Sequence, residues 1–200
     1  MELEFIDIEG HYGGDQHWLP TELMRRGGCS TVTAAEICAF LAAKDPLLRN
    51  LYPADHSAIS KADFIDFCKR MFKFVYPRVG GLTKLSLYID GFKAYAKSVG
   101  APVEIETLSG DLPYEHAEEF LVKAIGEGSC LICLLLDHHD ESLDDIIWHW
   151  FMLTGYEHHM GELNAIYGTY GKRGTVSLRH MWETGRRKKG GLIRIRRREG

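Results

Sequence analysis

IIWHWFMLTGYE, residues 146–157, is the stretch on which the fold turns. It is rich in aromatic and β-branched side chains and reads as a strand running into a Thr154-Gly155-Tyr156 corner. Leu163–Gly171 follows after a polar interval, so the two segments read as a hairpin, and Gly174–Leu178 reads as a further strand. Upstream, Cys130–Leu136 is a continuous apolar run of strand length, and Val103–Leu108 alternates as a strand does.

Before these strands the text is helical. TVTAAEICAFLAAK (residues 31–44) has strong helix formers, with Val32, Ala35, Cys38, Leu41 and Ala42 forming an apolar stripe. Thr33 and Glu36 have the spacing of a capping box near its start. KADFIDFCKRMFKFV (residues 61–75) sets Phe64, Phe67, Cys68, Met71 and Phe74 on one face. Thr83–Val99 reads as another helix, stopped by Gly100 and Pro102. A fourth runs from Pro113 to about Ile125, with Gly126 and Gly128 at its end. Residues 1–30 read as irregular. Helices first and a mostly antiparallel sheet later make the fold class α+β. With no internal repeat or linker, residues 1–200 form one expected domain.

Composition excludes several classes. At 45% hydrophobic and 26% charged residues, the chain is neither disordered nor fibrous. No apolar run is long enough to span a bilayer, and MELEFIDIEG lacks the cationic start of a secretory signal. Five cysteines without an export signal point to reduced thiols and a cytoplasmic setting. The charge is uneven. Residues 186–200 carry eight Lys/Arg and one acidic residue, leaving 16 basic against 27 acidic side chains in residues 1–185. Such a segment prompts the question of a nucleic-acid arm. Yet GLIRIR (residues 191–196) alternates, with Ile193 and Ile195 on one face and Leu192, Arg194 and Arg196 on the other. That pattern reads as a last strand, its arginines along a solvent face or sheet edge. Nucleic acid is therefore not the expected partner.

Two residues carry candidate chemistry. Cys29 follows Gly27-Gly28 and stands at a helix start, where the dipole and free N–H groups favour the thiolate. The plainer alternative is a cysteine that only packs there. His149 lies between Trp148 and Trp150 near the beginning of a strand, which makes it a rigidly held imidazole. Its plainer alternative is a core histidine with a satisfied hydrogen bond.

The ordered ensemble resembles the bacterial papain-fold cysteine peptidases related to bacteriocin-leader peptidases. It comprises Gly13-Gly14-Asp15-Gln16-His17-Trp18, then Gly27-Gly28-Cys29-Ser30 and a helix, then Trp148-His149-Trp150 leading into Thr154-Gly155-Tyr156. The resemblance spans roughly residues 13–195. It implies Cys29 as nucleophile, His149 as general base and Gln16 as a side chain that helps to bind the oxyanion. Gln16 stands further from Cys29 than the family pattern has it, so a simple loop residue is the alternative. Ser30 replaces the glycine that commonly follows the cysteine.

The third position departs from the family, which orients the histidine with Asp or Asn. If Tyr156 pairs with about Leu163, His149 faces about Tyr170, and Asn164 lies roughly 20 Å along the ladder. Thr169, Tyr170 and Gly171 are within reach, and the Thr169 hydroxyl is the expected orienter. A plain β-forming threonine is the alternative.

Other signals are weaker. Cys130 and Cys133 spell CxxC, but three positions apart on a strand they point to opposite faces. Asp137-His138-His139-Asp140-Glu141 and His158-His159 have ligand chemistry but fall where solvated turns are expected. Val79-Gly80-Gly81 lacks the context of a phosphate loop. No cofactor or metal is expected. The expected activity is a cysteine hydrolase acting on a peptide or protein substrate, with acyl transfer left open. The rivals are a degenerate papain-fold peptide binder and a nucleic-acid-binding protein that uses the basic C-terminus.

Overall fold

The computed structural model describes residues 1–77 and 81–199, so Val79 and Gly80 of the glycine-rich stretch lie outside the described residues. The N-terminal half contains β1 (Asp7–Ile8), β2 (His11–Tyr12), α1 (Glu22–Gly27), α2 (Cys29–Lys44), α3 (Lys61–Met71) and α4 (Leu85–Ser98). Then come β3 (Val103–Ser109), α5 (Tyr114–Gly126), β4 (Leu131–Leu135), β5 (His149–His159), β6 (Glu162–Thr169), β7 (Lys172–Ser177), α6 (Leu178–Trp182) and β8 (Gly191–Arg197). Six strands form one sheet in the order β3-β8-β4-β5-β6-β7, every neighbour antiparallel. The class is α+β.

Helices cover both faces of the sheet. Ile132, Leu134, Trp150, Met152, Ile193 and Ile195 enter a core shared with α2, α3 and α4. Leu131, Cys133, Leu135, Phe151, Leu153 and Leu192 enter a second core with α5 and α6. A strand covered on both sides needs apolar residues at every position. That is why Cys130–Leu136 shows no alternation: all five residues of β4 are buried. Cys130 belongs to the first core and Cys133 to the second, so their sulfurs diverge.

Several local readings change. Residues 1–30 are not wholly irregular: α1 is capped by Thr21, whose side chain accepts from the Met24 N–H. Helix α2 starts at Cys29 rather than Thr31 and is buried nearly all round rather than along one stripe. The Thr33–Glu36 capping box does not form. Thr33 lies inside α2, its hydroxyl turned back to the carbonyls of Cys29 and Ser30 (3.2 and 3.1 Å). Glu36 instead bonds a loop outside the helix. His158 and His159 lie within β5, not in a turn.

The hairpin is shifted. Tyr156 pairs with Ala165, two residues from the expected Leu163, and a bulge falls between Leu153 and Gly155. Asn164 pairs with Glu157, far along the ladder from His149.

The last strand is not an edge, and of its arginines Arg194 is buried while Arg196 and Arg197 stay partly open to solvent. β8 sits between β3 and β4, and the Arg194 side chain is only 4% exposed. Its guanidinium donates to Glu127 (2.7 Å) and to the Ser129 hydroxyl (3.0 Å). Arg196 meets Glu104 and Glu106, and Arg197 meets Asp45. The charge excess of the C-terminus is thus partly neutralised by the acidic body.

Candidate active site

Cys29 is the first residue of α2. Gly28 precedes it as the helix cap, its carbonyl accepting from the Val32 N–H at 2.9 Å. Ser30 anchors the same turn by donating to the Val75 carbonyl (3.2 Å). Cys29 is half-buried, and the desolvation of its thiol pushes it above its ordinary ionisation range. The backbone N–H groups of Trp150 and Ser30 act the other way, with smaller effect. Desolvation thus acts against the thiolate that the helix start was expected to favour.

His149 opens β5, and the residue before it makes the corner. Trp148 adopts φ 54°, donates its N–H to the Leu136 carbonyl (2.9 Å) and leaves its indole 48% exposed. Trp150 is buried, stacks on Tyr88 and donates its ring N–H to the Leu82 carbonyl (2.6 Å). So the histidine is not held between two indoles. It stacks instead on Tyr170, with ring centroids 4.7 Å apart and planes 14° from parallel.

The two nitrogens of His149 have different surroundings. Nε2 lies 2.7 Å from the Thr169 hydroxyl. Nδ1 has the Tyr170 hydroxyl at 3.5 Å. In a stacked pair that oxygen lies off the imidazole plane, and the distance is too long for an effective hydrogen bond. In the Nε2–H tautomer, Nδ1 keeps its lone pair as a base. Burial, with a smaller contribution from nearby His17, pushes the His149 pKa down to about 4.

Gln16 lies in a 3-10 turn (Gln16–Trp18) capped by the Asp15 carboxylate, which accepts from the His17 N–H. Its amide nitrogen donates to the Arg25 carbonyl at 2.9 Å, which leaves a second N–H on the same nitrogen. Its carbonyl oxygen is buried with no partner among the described residues.

Gln16, Cys29, His149 and Thr169 line one narrow cleft, joined by Gly14, Glu36 and Tyr170. Four positions scattered over 150 residues are thus brought together. Among the described residues, however, Cys29 makes no hydrogen bond to His149. A second, wider groove also ends at Cys29, with walls from Leu23, Leu82, Leu136, Trp148 and Trp150. A further hollow, bounded by Phe5, Phe40, Lys44 and His56, borders neither Cys29 nor His149.

Glu36 and Tyr170 were not singled out as site residues from the sequence. Glu36 left a usable signal, standing seven residues after Cys29 and so on the same helix face. The position of the Tyr170 ring depends on a turn at φ 52° that its sequence does not announce.

The histidine-rich loop is structural. Contrary to the expectation of a solvated turn, His138 is buried and both its ring nitrogens are used, by the His180 carbonyl and the Asp140 N–H (2.9 Å each). His180 pairs with Asp140 at 2.8 Å. Among the described residues, no group of three or more His, Cys, Asp or Glu is arranged to hold a metal ion. None of the described helices is long and apolar enough to cross a membrane.

No protein-family model, curated protein or solved structure matches the chain.

Proposed function

We propose that the protein is a cysteine-dependent hydrolase of papain-like α+β architecture, acting on peptide or protein amides. The observation that carries this reading is the divided environment of His149. Its Nε2 is held by the Thr169 hydroxyl, while Nδ1 is left without a strong partner in the cleft it shares with Cys29. An imidazole fixed through one nitrogen and open at the other is what a general base requires.

Because burial raises the thiol and lowers the imidazole, both partners start neutral. In the proposed mechanism the thiol proton passes to Nδ1 as the sulfur attacks the amide carbonyl. The Cys29 N–H and the second amide N–H of Gln16 stabilise the oxyanion. The imidazolium then protonates the leaving amine, and a thioester remains. Water, or an amine acceptor in a transfer reaction, attacks the thioester with His149 again taking the proton. The apolar groove beside Cys29 is the proposed peptide path. A bacterial host belongs to the same reading through the family resemblance, and a cytoplasmic setting through the five unpaired cysteines.

A second reading, a papain-fold module that binds peptides without cutting them, is favoured by the missing Cys29–His149 hydrogen bond and the neutral resting pair. Iodoacetamide kinetics and a peptide library distinguish the two. The hydrolase requires Cys29 alkylation that slows in His149→Ala, together with cleavage products. Alkylation indifferent to His149 and a library recovered intact would leave only the binding module.

A further inference from the structure

Glu36 takes no part in those steps, yet it is 1% exposed and lies on the face of α2 that bears Cys29, Val32 and Thr33, bordering the same cleft. Its only hydrogen bond among the described residues comes from the Gly14 N–H, 2.8 Å from Oε1. The other side of that loop residue is also engaged. The Gly14 carbonyl accepts from the Gly171 N–H at 2.8 Å, and the Tyr12 N–H donates to the Gly171 carbonyl at 3.0 Å. Gly171 closes the turn that carries Thr169 and Tyr170, the two residues against His149. Gln16 follows Gly14 by two residues.

The loop is cut to fit this carboxyl. At Gly13, φ is +77° and a Cβ would fall 2.4 Å from Glu36 Oε1; at Gly14 it would fall 2.3 Å from the Phe64 ring. A buried carboxyl is costly unless it is bonded, so this position is not filled by packing alone.

We propose that Glu36 is a positioning residue for the site. Through the Gly14 peptide it fixes two arms at once, the Gln16 turn on one side of Cys29 and the Thr169–Gly171 turn that orients His149 on the other. The inference rests on the reading of Cys29 and His149 as the working pair.

The groups around Glu36 are Cys68 on α3, Tyr88 on α4 and Cys130 before β4, with Cys29, Tyr170 and His149 across the cleft; the thiols and phenols are pushed upward and His149 down to about 4, so all are neutral near pH 8. Burial pushes Glu36 itself up to about 8. Its ionisation can thus be followed without interference from charged neighbours.

Two measurements test the proposal. In the first, Cys29 alkylation by iodoacetamide is compared in wild type, His149→Ala, Glu36→Gln, Glu36→Leu, Thr169→Val and the Glu36→Leu/Thr169→Val double variant. Glu36→Gln keeps an acceptor oxygen and stays within about twofold of wild type. Glu36→Leu slows the reaction about tenfold or more, the scale of a misplaced catalytic group. The double variant is little worse than Glu36→Leu alone, because both act through the orientation of His149. A folded Glu36→Leu protein that alkylates at the wild-type rate overturns the proposal. Alkylation that does not depend on His149 overturns the pair instead.

The second measurement is made on the intact wild-type chain, with Glu36→Gln, which keeps the acceptor oxygen, as its control. In a pH titration by NMR, the Gly14 and Gly171 amide resonances move together with a midpoint near 8, and neither does so in Glu36→Gln. A Gly171 amide that ignores the titration of Glu36 overturns the link between the two arms.

Discussion

His149 Nε2 and the Thr169 hydroxyl lie 2.7 Å apart across the β5–β6 pair, twenty residues distant in the chain. A hydroxyl fixes the ring but supplies no negative charge, so an imidazolium gains less there than it would beside a carboxylate. Thr169→Val is expected to slow Cys29 alkylation about fivefold to tenfold, corresponding to one lost hydrogen bond. Thr169→Asp is expected to raise the His149 pKa, read from its imidazole resonances, and to speed alkylation at pH 7. An unchanged histidine titration in Thr169→Asp would count against the contact.

The lowered His149 pKa predicts an acid-sensitive fold. The unfolded chain binds a proton near pH 6.5 that the folded chain resists until about 4. Stability therefore falls as pH drops through that window, by an amount on the order of 3 kcal/mol. His149→Gln should flatten the decline in urea midpoint between pH 6.5 and 4. An equal decline in both proteins would mean that another group carries it.

Glu36 has the opposite sign. Its folded pKa is raised to about 8, so its contribution is full below the ordinary carboxyl range and is lost as pH rises toward 8. Glu36→Gln is accordingly expected to be less sensitive than wild type to a rise from pH 5 to 8. Melting curves across that range measure it.

Trp148 offers a way to separate substrate binding from folding. Its indole is half exposed, and its left-handed backbone is one that glycine adopts without steric cost. Trp148→Gly should change stability by no more than about 1 kcal/mol. Because the indole walls the groove at Cys29, KM for a cleaved peptide is expected to rise about tenfold with kcat little altered. A fall confined to kcat would place Trp148 in the chemistry instead.

The basic C-terminus should behave as two populations. Arg187→Ala, in the exposed loop before β8, is expected to change stability by less than about 0.5 kcal/mol. Arg194→Ala removes a buried guanidinium from Ser129 and Glu127 and should cost about 2 kcal/mol or more. Chemical denaturation of the two variants gives the comparison. Equal midpoints would refute the buried role.

Much of this was legible in the chain. The hairpin of β5 and β6 follows from aromatic and β-branched runs around a polar turn, and the continuous apolar text of β4 follows from burial on both faces. Chemistry also narrows the candidates. A cysteine at a helix start and a histidine at a strand start can be picked out because residue type and local element set the reach of each group. The ladder estimate set aside Asn164 and brought Thr169 near His149, even though its register was off by two residues. A bulge near Thr154 could not be foreseen, since it depends on what the strand packs against.

Sequence by itself determined the order of elements, the split between acidic body and basic end, and the placing of a thiol at a helix start and an imidazole at a strand start. Those properties are local, fixed by periodicity and side-chain chemistry. Tertiary structure alone decided the rest. It put Arg194 inside the sheet rather than on its edge, turned Glu36 from an apparent capping residue into the partner of Gly14, and set His149 against Tyr170 and Thr169 rather than between two indoles. Each of these is a matter of burial and of contacts between distant segments. Desolvation depends on the whole surrounding volume, and no short stretch of sequence encodes it.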